Sequence, residues 1–269
     1  MSTDPEQGAQ RTDLDADRIV QFGAPSRLRP RIEGEVDSTN LELARLRAAG
    51  ESVQVLIAEA QTAGRGRRGR VWLSPPGCGL YLSMFRSFAL APRRLGALGL
   101  VAGLATASAV AKSCPPIRPG VKWPNDVLVN GRKLAGCLID LTGTRETSSA
   151  IIGVGINVNF QSMEGPDQPW TDLARISALP PDRDQLAAAL ITQLDEDLSR
   201  FADEGFAPFA ALWKSHDVLL GRDVLASAGS GQELSGRAMG VDVQGQLLIQ
   251  NDHGLHHLPA GDVTLRPLR

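Results

Sequence analysis

Apolar residues follow three regimes along the chain. From about residue 40 to 159, apolar runs of strand length alternate with helical stretches. From 186 to 213 the spacing is helical, and from 221 onward it returns to short strands. The first helix is expected over about 40–49, with Leu43, Ala44, Leu46 and Arg47 grading from buried to exposed. Thr39 followed three residues later by Glu42 reads as a capping box, and Gly50 closes the helix. Capping is therefore the plain explanation of Ser38 and Thr39 taken alone.

Val53–Ala58, Val71–Leu73 and Gly79–Phe85 read as strands, the last two separated by Ser74-Pro75-Pro76-Gly77. Leu95 to Ala111 carries no charge and contains Gly99-x-x-x-Gly103. Its length lies at the lower edge of the ~17–25 residues that span a bilayer. Small residues make up much of it, so a helix over about 92–112, buried against a sheet, is expected and not a membrane span. Val127–Val129, the hairpin signal Asn130-Gly131, and a return strand Arg132–Ile139 follow. A polar turn, Thr142 to Thr147, leads to a third strand over Ala150–Asn159. Three consecutive strands with short turns form an antiparallel meander, so the class is α+β, a mixed and largely antiparallel sheet with flanking helices.

Residues 160–181 read as an irregular, proline-rich connection, and Leu186–Phe201 as an amphipathic helix with an acidic outer face. A further helix carries Phe206, Phe209, Leu212 and Trp213. Five short strands after Gly221 suggest a small barrel. The expected division is a polar, mobile tail over 1–30 with a short helix near Leu14–Phe22, a main domain over 31–219 and a small domain over 220–269.

Composition adds little until charge is mapped. The chain has 269 residues, 42% hydrophobic content and a formal net charge of −2. Cys78, Cys114 and Cys137 are odd in number and lack C-x-x-C spacing, which fits reduced thiols in a cytoplasmic protein. The N-terminus does not resemble a signal peptide. Between Glu59 and Asp126, however, there are ten cations and no acid. Such a field favours polyanions, with ATP and nucleic acid the obvious candidates. At its head stands Gly64-Arg65-Gly66-Arg67-Arg68-Gly69-Arg70, which cannot pack as a core strand and makes a poor helix. It can bend over an anion and surround it with cations. Gly64-x-Gly66-x-x-Gly69 matches a dinucleotide fingerprint in letters only, because no helical pattern follows it and no acid lies about twenty residues on.

His216, His253, His256 and His257 all lie in the last quarter of the chain, which argues against a histidine base near the basic run. The last three read as surface-loop residues and not as a metal cluster. The remaining chemistry is cationic: the loop, Lys122 and Lys133, with Asp126 able to hold Mg²⁺. The Asn130-Gly131 hairpin is expected to set Lys133 across from Asp126.

Ser38-Thr39-Asn40, Gln61-Thr62-Ala63-Gly64-Arg65-Gly66-Arg67, Lys122-Trp123-Pro124-Asn125-Asp126, Lys133-Leu134-Ala135-Gly136 and Gly153-Val154-Gly155-Ile156-Asn157 follow one another in the order and spacing of biotin protein ligases. The chain resembles that family over about residues 32–266. The resemblance implies a catalytic domain like that of class II aminoacyl-tRNA synthetases, followed by an SH3-like barrel. It implies ATP and Mg²⁺ as co-reactants, biotin as substrate, biotinyl-5′-AMP as intermediate, and transfer of biotin to a lysine of the biotin carboxyl carrier protein of acetyl-CoA carboxylase.

By motif, Ser38, Thr39, Asn40, Gln61 and Gly136 would face biotin, and Arg65, Gly66 and Arg67 would cover biotin and the adenylate phosphate. Lys133 and Arg67 would carry the chemistry. Arg70, Trp72, Lys122, Asn125 and Asn157 would serve the nucleotide, and Asp126 the metal. Some members carry an N-terminal DNA-binding domain; residues 1–30 leave no room for one, so no DNA binding is expected. A homodimer is an open expectation. Two alternatives remain: a lipoate-type ligase, which shares the fold but not the Gly-Arg-Gly-Arg loop, and an RNA-binding module. Aromatic residues are only 4% of the chain, which disfavours the RNA reading.

Overall fold

Asn130 and Gly131 have φ of 51° and 73°. These are the two left-handed residues a tight hairpin of primed type needs, and they fold the middle of the chain back on itself. A computed structural model describes residues 14–160, 169–177, 181–228, 233–260 and 263–267. In chain order the elements are α1 (Ala16–Gln21), β1 (Arg31–Val36), α2 (Thr39–Ala48), β2 (Val55–Gln61), β3 (Gly79–Phe88) and α3 (Leu98–Ser113). Then come β4 (Gly120–Lys122), β5 (Asp126–Val129), β6 (Arg132–Gly143), β7 (Ser148–Asn157), α4 (Leu173–Ile176), α5 (Arg183–Glu204) and α6 (Ala210–His216). The last five strands are β8 (Asp223–Ala228), β9 (Glu233–Val241), β10 (Leu247–Asn251), β11 (Gly254–Leu258) and β12 (Val263–Pro267).

The first seven strands form one sheet in the order β1-β2-β3-β7-β6-β5-β4. Strands β1 and β2 pair in parallel, which makes the sheet mixed; the other pairings are antiparallel, as the meander predicts for β5 to β7. Alternation sorts the two faces. Val55 and Ile57 of β2 join the large core beneath α3 and α5, while Leu56 packs with Leu43 and Leu46 of α2. The helix α3, whose only charge is Lys112 in its last turn, is buried between the sheet and α5, which is where its small residues are of use. The opposite face carries α2 at one end and lies open over β3, β7 and β6.

Several expectations change. The short helix expected near Leu14–Phe22 is α1, but residues 14–30 are docked and not a mobile tail. Ile19 is fully buried, Leu14 N–H donates to Glu59 Oε1 at 3.0 Å, and Asp15 N–H donates to Asp184 Oδ1 at 2.9 Å. Arg18 pairs with Asp182 and Asp184. These partners stand on β2 and at the start of α5, far along the chain, so local pattern could not reveal them. Strand β1 was not anticipated either, because its polar alternation is organised by β2 alone. Val71–Leu73 is not a strand; Val71 makes an isolated bridge to Arg65. Ser38 is the N-cap of α2 with no side-chain capping bond, so the capping box does not form.

The C-terminal strands form a five-stranded antiparallel sheet in the order β11-β10-β9-β8-β12, consistent with the expected SH3-like unit. Val224, Ala226, Ala238, Leu247, Ile249 and Leu265 belong to the same hydrophobic cluster as the main sheet. Trp123, 1% exposed, donates its indole N–H to Gly245 O at 3.1 Å. The small unit is therefore packed onto the Lys122–Asp126 motif and does not stand apart from it.

Candidate functional site

The open face is paved by residues that share a pleat. Ser83 of β3 pairs with Gly153 of β7, which pairs with Leu138 of β6. The next row is Tyr81, Gly155 and Gly136, and Asn157 lies one row further on β7. The two β7 glycines are there for what lies on top. A Cβ at Gly153 would stand 2.3 Å from Asn40 Oδ1, and one at Gly155 would stand 2.4 Å from Trp72 Nε1. The Trp72 indole lies over Gly155 and Gly136, and its buried N–H has no partner among the described residues.

At the α2 end the site is neutral and closed. Gln61 Oε1 accepts from Thr39 N–H at 2.9 Å and from the Thr39 hydroxyl at 3.2 Å. Gln61 Nε2 donates to Ser74 Oγ at 2.7 Å. The fully buried Ser83 hydroxyl lies 2.8 Å from Thr39 Oγ1 and 2.6 Å from Asn40 Oδ1. Asn40 Nδ2 donates to Asp140 Oδ2 at 2.9 Å. Amides and hydroxyls in one chain fix each other's orientation, which suits recognition of a small polar head group.

The Gly64–Arg70 loop spans the face. Its ends are tied by Trp72 N–H to Gly64 O at 2.9 Å and Gln61 N–H to Ser74 O at 3.0 Å. Arg68 and Gly69, at φ of 60° and 70°, turn it back. Left-handed backbone costs a non-glycine residue about 1–2 kcal/mol, so the loop is held in this turn by its contacts. Arg65 Nη1 reaches Asp140 Oδ2 at 3.3 Å. Arg67 donates to Asn125 Oδ1 at 3.4 Å and to Ala260 O of the small unit at 2.7 Å. A cavity of about 290 Å³ lies between the loop and Leu138.

The far end is cationic. Lys133 Nζ sits 2.6 Å from Asp126 Oδ1 and 5.2 Å from the Trp72 ring centre. The expected pairing of these two is present, but not by direct register: Lys133 stands opposite Leu128, Asp126 stands opposite Gly136, and a bulge after Val127 brings the side chains together. Lys122 is half-buried. Burial pushes its ammonium below the usual lysine range; Asp126 opposes this, and Lys133, Arg70 and Arg266 add to it. Among the described residues no three His, Cys, Asp or Glu side chains cluster to hold a metal. One carboxylate suits Mg²⁺ bound mainly through substrate phosphates and water, and Asp126 is the residue that would hold it.

The ten cations do not act as one field. Arg86 pairs with the buried Asp195, Lys112 bonds Gln193, and Arg118 turns back to the carbonyls of Pro116 and Ile117. Arg93 and Arg94 stand in the turn before α3, and the loop arginines and Lys122 lie around the face. Of the sequence-predicted residues, Thr39, Asn40, Gln61, Arg65, Trp72 and Gly136 gather on the face, with Lys133, Asp126, Lys122, Asn125 and Arg67 at its cationic end. Ser38 is buried with no side-chain capping bond. Asn157 Nδ2 donates to Thr171 O at 3.0 Å. Arg70 is exposed at the loop's end.

Sequence reasoning missed Ser83, Asp140 and the segment around Trp170. Residues 169–171 attach to β6 at Lys133 itself: Lys133 N–H donates to Pro169 O and Thr171 N–H donates to Lys133 O, both at 2.9 Å. The stretch read as irregular thus braces the lysine, with Trp170 stacked under Arg175 and edge-on to Phe160. A lone aromatic after proline was the only signal.

Comparison with known proteins adds an independent line. Residues 34–157 match the biotin/lipoate A/B protein ligase family, and residues 219–266 match the biotin protein ligase C-terminal domain. The chain is 39% identical over 235 residues to the bifunctional ligase/repressor BirA of Escherichia coli, covering 86% of this chain and 72% of that protein. It is 34% identical to the biotin–acetyl-CoA-carboxylase ligase of Mycobacterium tuberculosis, covering 87% of each. Among solved structures, the biotin protein ligase of Aquifex aeolicus in complex with biotin and ATP matches with a TM-score of 0.75 and 31% identity, over 89% of this chain and 99% of that one.

Proposed function

We propose, for a chain that belongs to the biotin protein ligase family, that the open face is the site of ATP-dependent biotin ligation. The observation that carries the reading is the polarity of one continuous face. A neutral, hydrogen-bonded pocket at the α2 end is joined across a glycine floor to a cluster of cations. Biotin has that polarity, with an uncharged ureido ring, an apolar tail and a carboxylate. The ureido head is read by Thr39, Asn40 and Gln61, and the tail crosses Gly136 and Gly155 beneath Trp72.

Lys133 and Arg67 draw the carboxylate and the α-phosphate together against their mutual repulsion. A carboxylate oxygen forms a bond to the α-phosphorus, and the bond to pyrophosphate breaks. Asp126 would hold Mg²⁺, which neutralises phosphate charge when bound; Lys122, Arg70, Asn125 and Asn157 serve the nucleotide. In the second half-reaction the neutral amine of a carrier lysine attacks the mixed anhydride, an amide forms, and AMP leaves with a proton lost from nitrogen. The carrier is the biotin carboxyl carrier protein of acetyl-CoA carboxylase, supported by the name of the Mycobacterium tuberculosis relative. Three free thiols support a cytoplasmic location.

Pyrophosphate–ATP exchange with biotin, with lipoate and with neither tests this. Exchange is expected with biotin alone. Lipoate's dithiolane ring offers no hydrogen-bonding groups to the amides and hydroxyls at the α2 end, and each bond it cannot make forgoes about 0.5–1.5 kcal/mol. Exchange driven equally by lipoate would overturn the assignment of the head-group pocket.

A further inference from the structure

Asp140 is absent from every motif the sequence offers, yet it joins two parts of the site that are far apart in the chain. It lies on β6, on the same face as Gly136 and Leu138. One of its oxygens, Oδ2, accepts from Asn40 Nδ2 at 2.9 Å and from Arg65 Nη1 at 3.3 Å. The partners differ in kind. Asn40 is 4% exposed, and its amide is fixed by the Ser83 hydroxyl on one side and Leu138 O at 3.4 Å on the other. Arg65 is 41% exposed and stands on the loop that spans the face. Arg65 has no other ion pair among the described residues, so Asp140 sets its position.

The same chain of bonds continues inward. From Asp140 it runs through Asn40 and Ser83 to Thr39, then through Gln61 to Ser74, just beyond the other end of the loop. The loop is therefore anchored at both sides by one polar network that also contains the head-group residues. A shift of the loop moves Arg65, alters the load on Oδ2 and loosens the Asn40 amide.

We propose that Asp140 is a positioning residue that couples closure of the Gly64–Arg70 loop to recognition of the head group. Its carboxylate orients the Asn40 amide and holds the Arg65 guanidinium over the same pocket, so the loop closes in register only when the pocket is correctly formed. The inference rests on the face being the biotin site.

The experiment uses the full chain with D140A, D140N, R65A and the double variant D140A/R65A. Two readouts are taken: biotin KM and kcat in pyrophosphate exchange, and the rate of tryptic cleavage after Arg67, Arg68 and Arg70 with and without biotin. D140A is expected to raise biotin KM about tenfold while kcat falls less than about threefold, because two charge-assisted bonds are lost and Lys133 is untouched. D140N is isosteric and keeps an acceptor for Asn40, so its KM rises only about threefold, while loop cleavage speeds up about as much as in D140A. The double variant should fall well short of the sum of D140A and R65A, since the two substitutions share the Asp140–Arg65 link. A residue with a merely structural role would not separate KM from loop cleavage in D140N.

An unchanged biotin KM in D140A, wild-type loop cleavage in D140N, or additive effects in the double variant would each overturn the proposal. Failure of the wild type to catalyse biotin-dependent exchange would sink the functional reading instead. In that case the cleavage rates without ligand still decide whether Asp140 holds the loop.

Discussion

The two ends of the face are built on opposite terms. At the α2 end Thr39, Asn40 and Ser83 are buried, neutral and bonded to one another. At the other end Lys122 and Lys133 are part-buried cations, with Arg70 and Arg266 close enough to Lys122 to disfavour its charge and Asp126 as counter-ion. The first end is complete before any ligand arrives, so it can discriminate by shape and bonding pattern at little reorganisation cost. The second is electrostatically incomplete, and an anion removes its internal repulsion. Selectivity for the acid and acceleration of its activation are thereby lodged in different residues. Substitutions at the two ends should separate cleanly in their kinetics.

The largest expected effect is Lys133→Ala. It removes the cation nearest Asp126 and is expected to lower biotinyl-adenylate formation about 10²–10³-fold, with biotin affinity changed far less. Single-turnover formation of the adenylate at saturating biotin checks this. Near-normal formation would erase the distinction between the two ends.

Ser83→Ala is the matching probe at the neutral end. Loss of the hydroxyl that contacts both Thr39 and Asn40 is expected to cost at least about 1 kcal/mol, or roughly fivefold in biotin KM, with kcat held. A loss of kcat instead would mean that the head pocket takes part in the chemical step.

The smallest effect concerns pH. Burial lowers the Lys122 pKa from the ordinary 10.5, and a bound triphosphate would raise it again, so nucleotide binding takes up a proton. The ATP KM is therefore expected to climb as pH rises through this lowered value, by a few-fold, while biotin KM stays flat. Lys122→Arg should abolish the climb, because guanidinium does not titrate there. Persistence of the climb in that variant would assign it to another group.

The parts of this architecture legible in the sequence are those written in local chemistry. Asn130-Gly131 announces its hairpin because few residue pairs accept two left-handed conformations in succession. The uncharged helix, the basic loop and the Gly153–Asn157 strand are equally local. What was not legible is set by partners distant in the chain. Asp15 and Arg18 bind the start of α5, so the helix near Leu14–Phe22 is legible but its docking is not. Ser83 is one polar residue in an apolar strand, and its role exists only once α2 lies above it. Asp140 lies just past the expected Arg132–Ile139 strand and belongs to no motif. Even the Lys133–Asp126 pair, right in its outcome, depends on a bulge that the letters do not reveal.

The indole bond from Trp123 to Gly245 has a thermodynamic corollary. Gly245 also stands close against Ala97 at the start of α3; a Cβ there would meet Ala97 Cβ at 2.7 Å. Peeling the last five strands away would strip a buried tryptophan of its acceptor and open the hydrophobic cluster that runs beneath both units. The two pieces are thus expected to melt as one cooperative body, in a single calorimetric transition. A lesion on the far side of the small barrel can then register as lost enzyme, with no catalytic side chain altered.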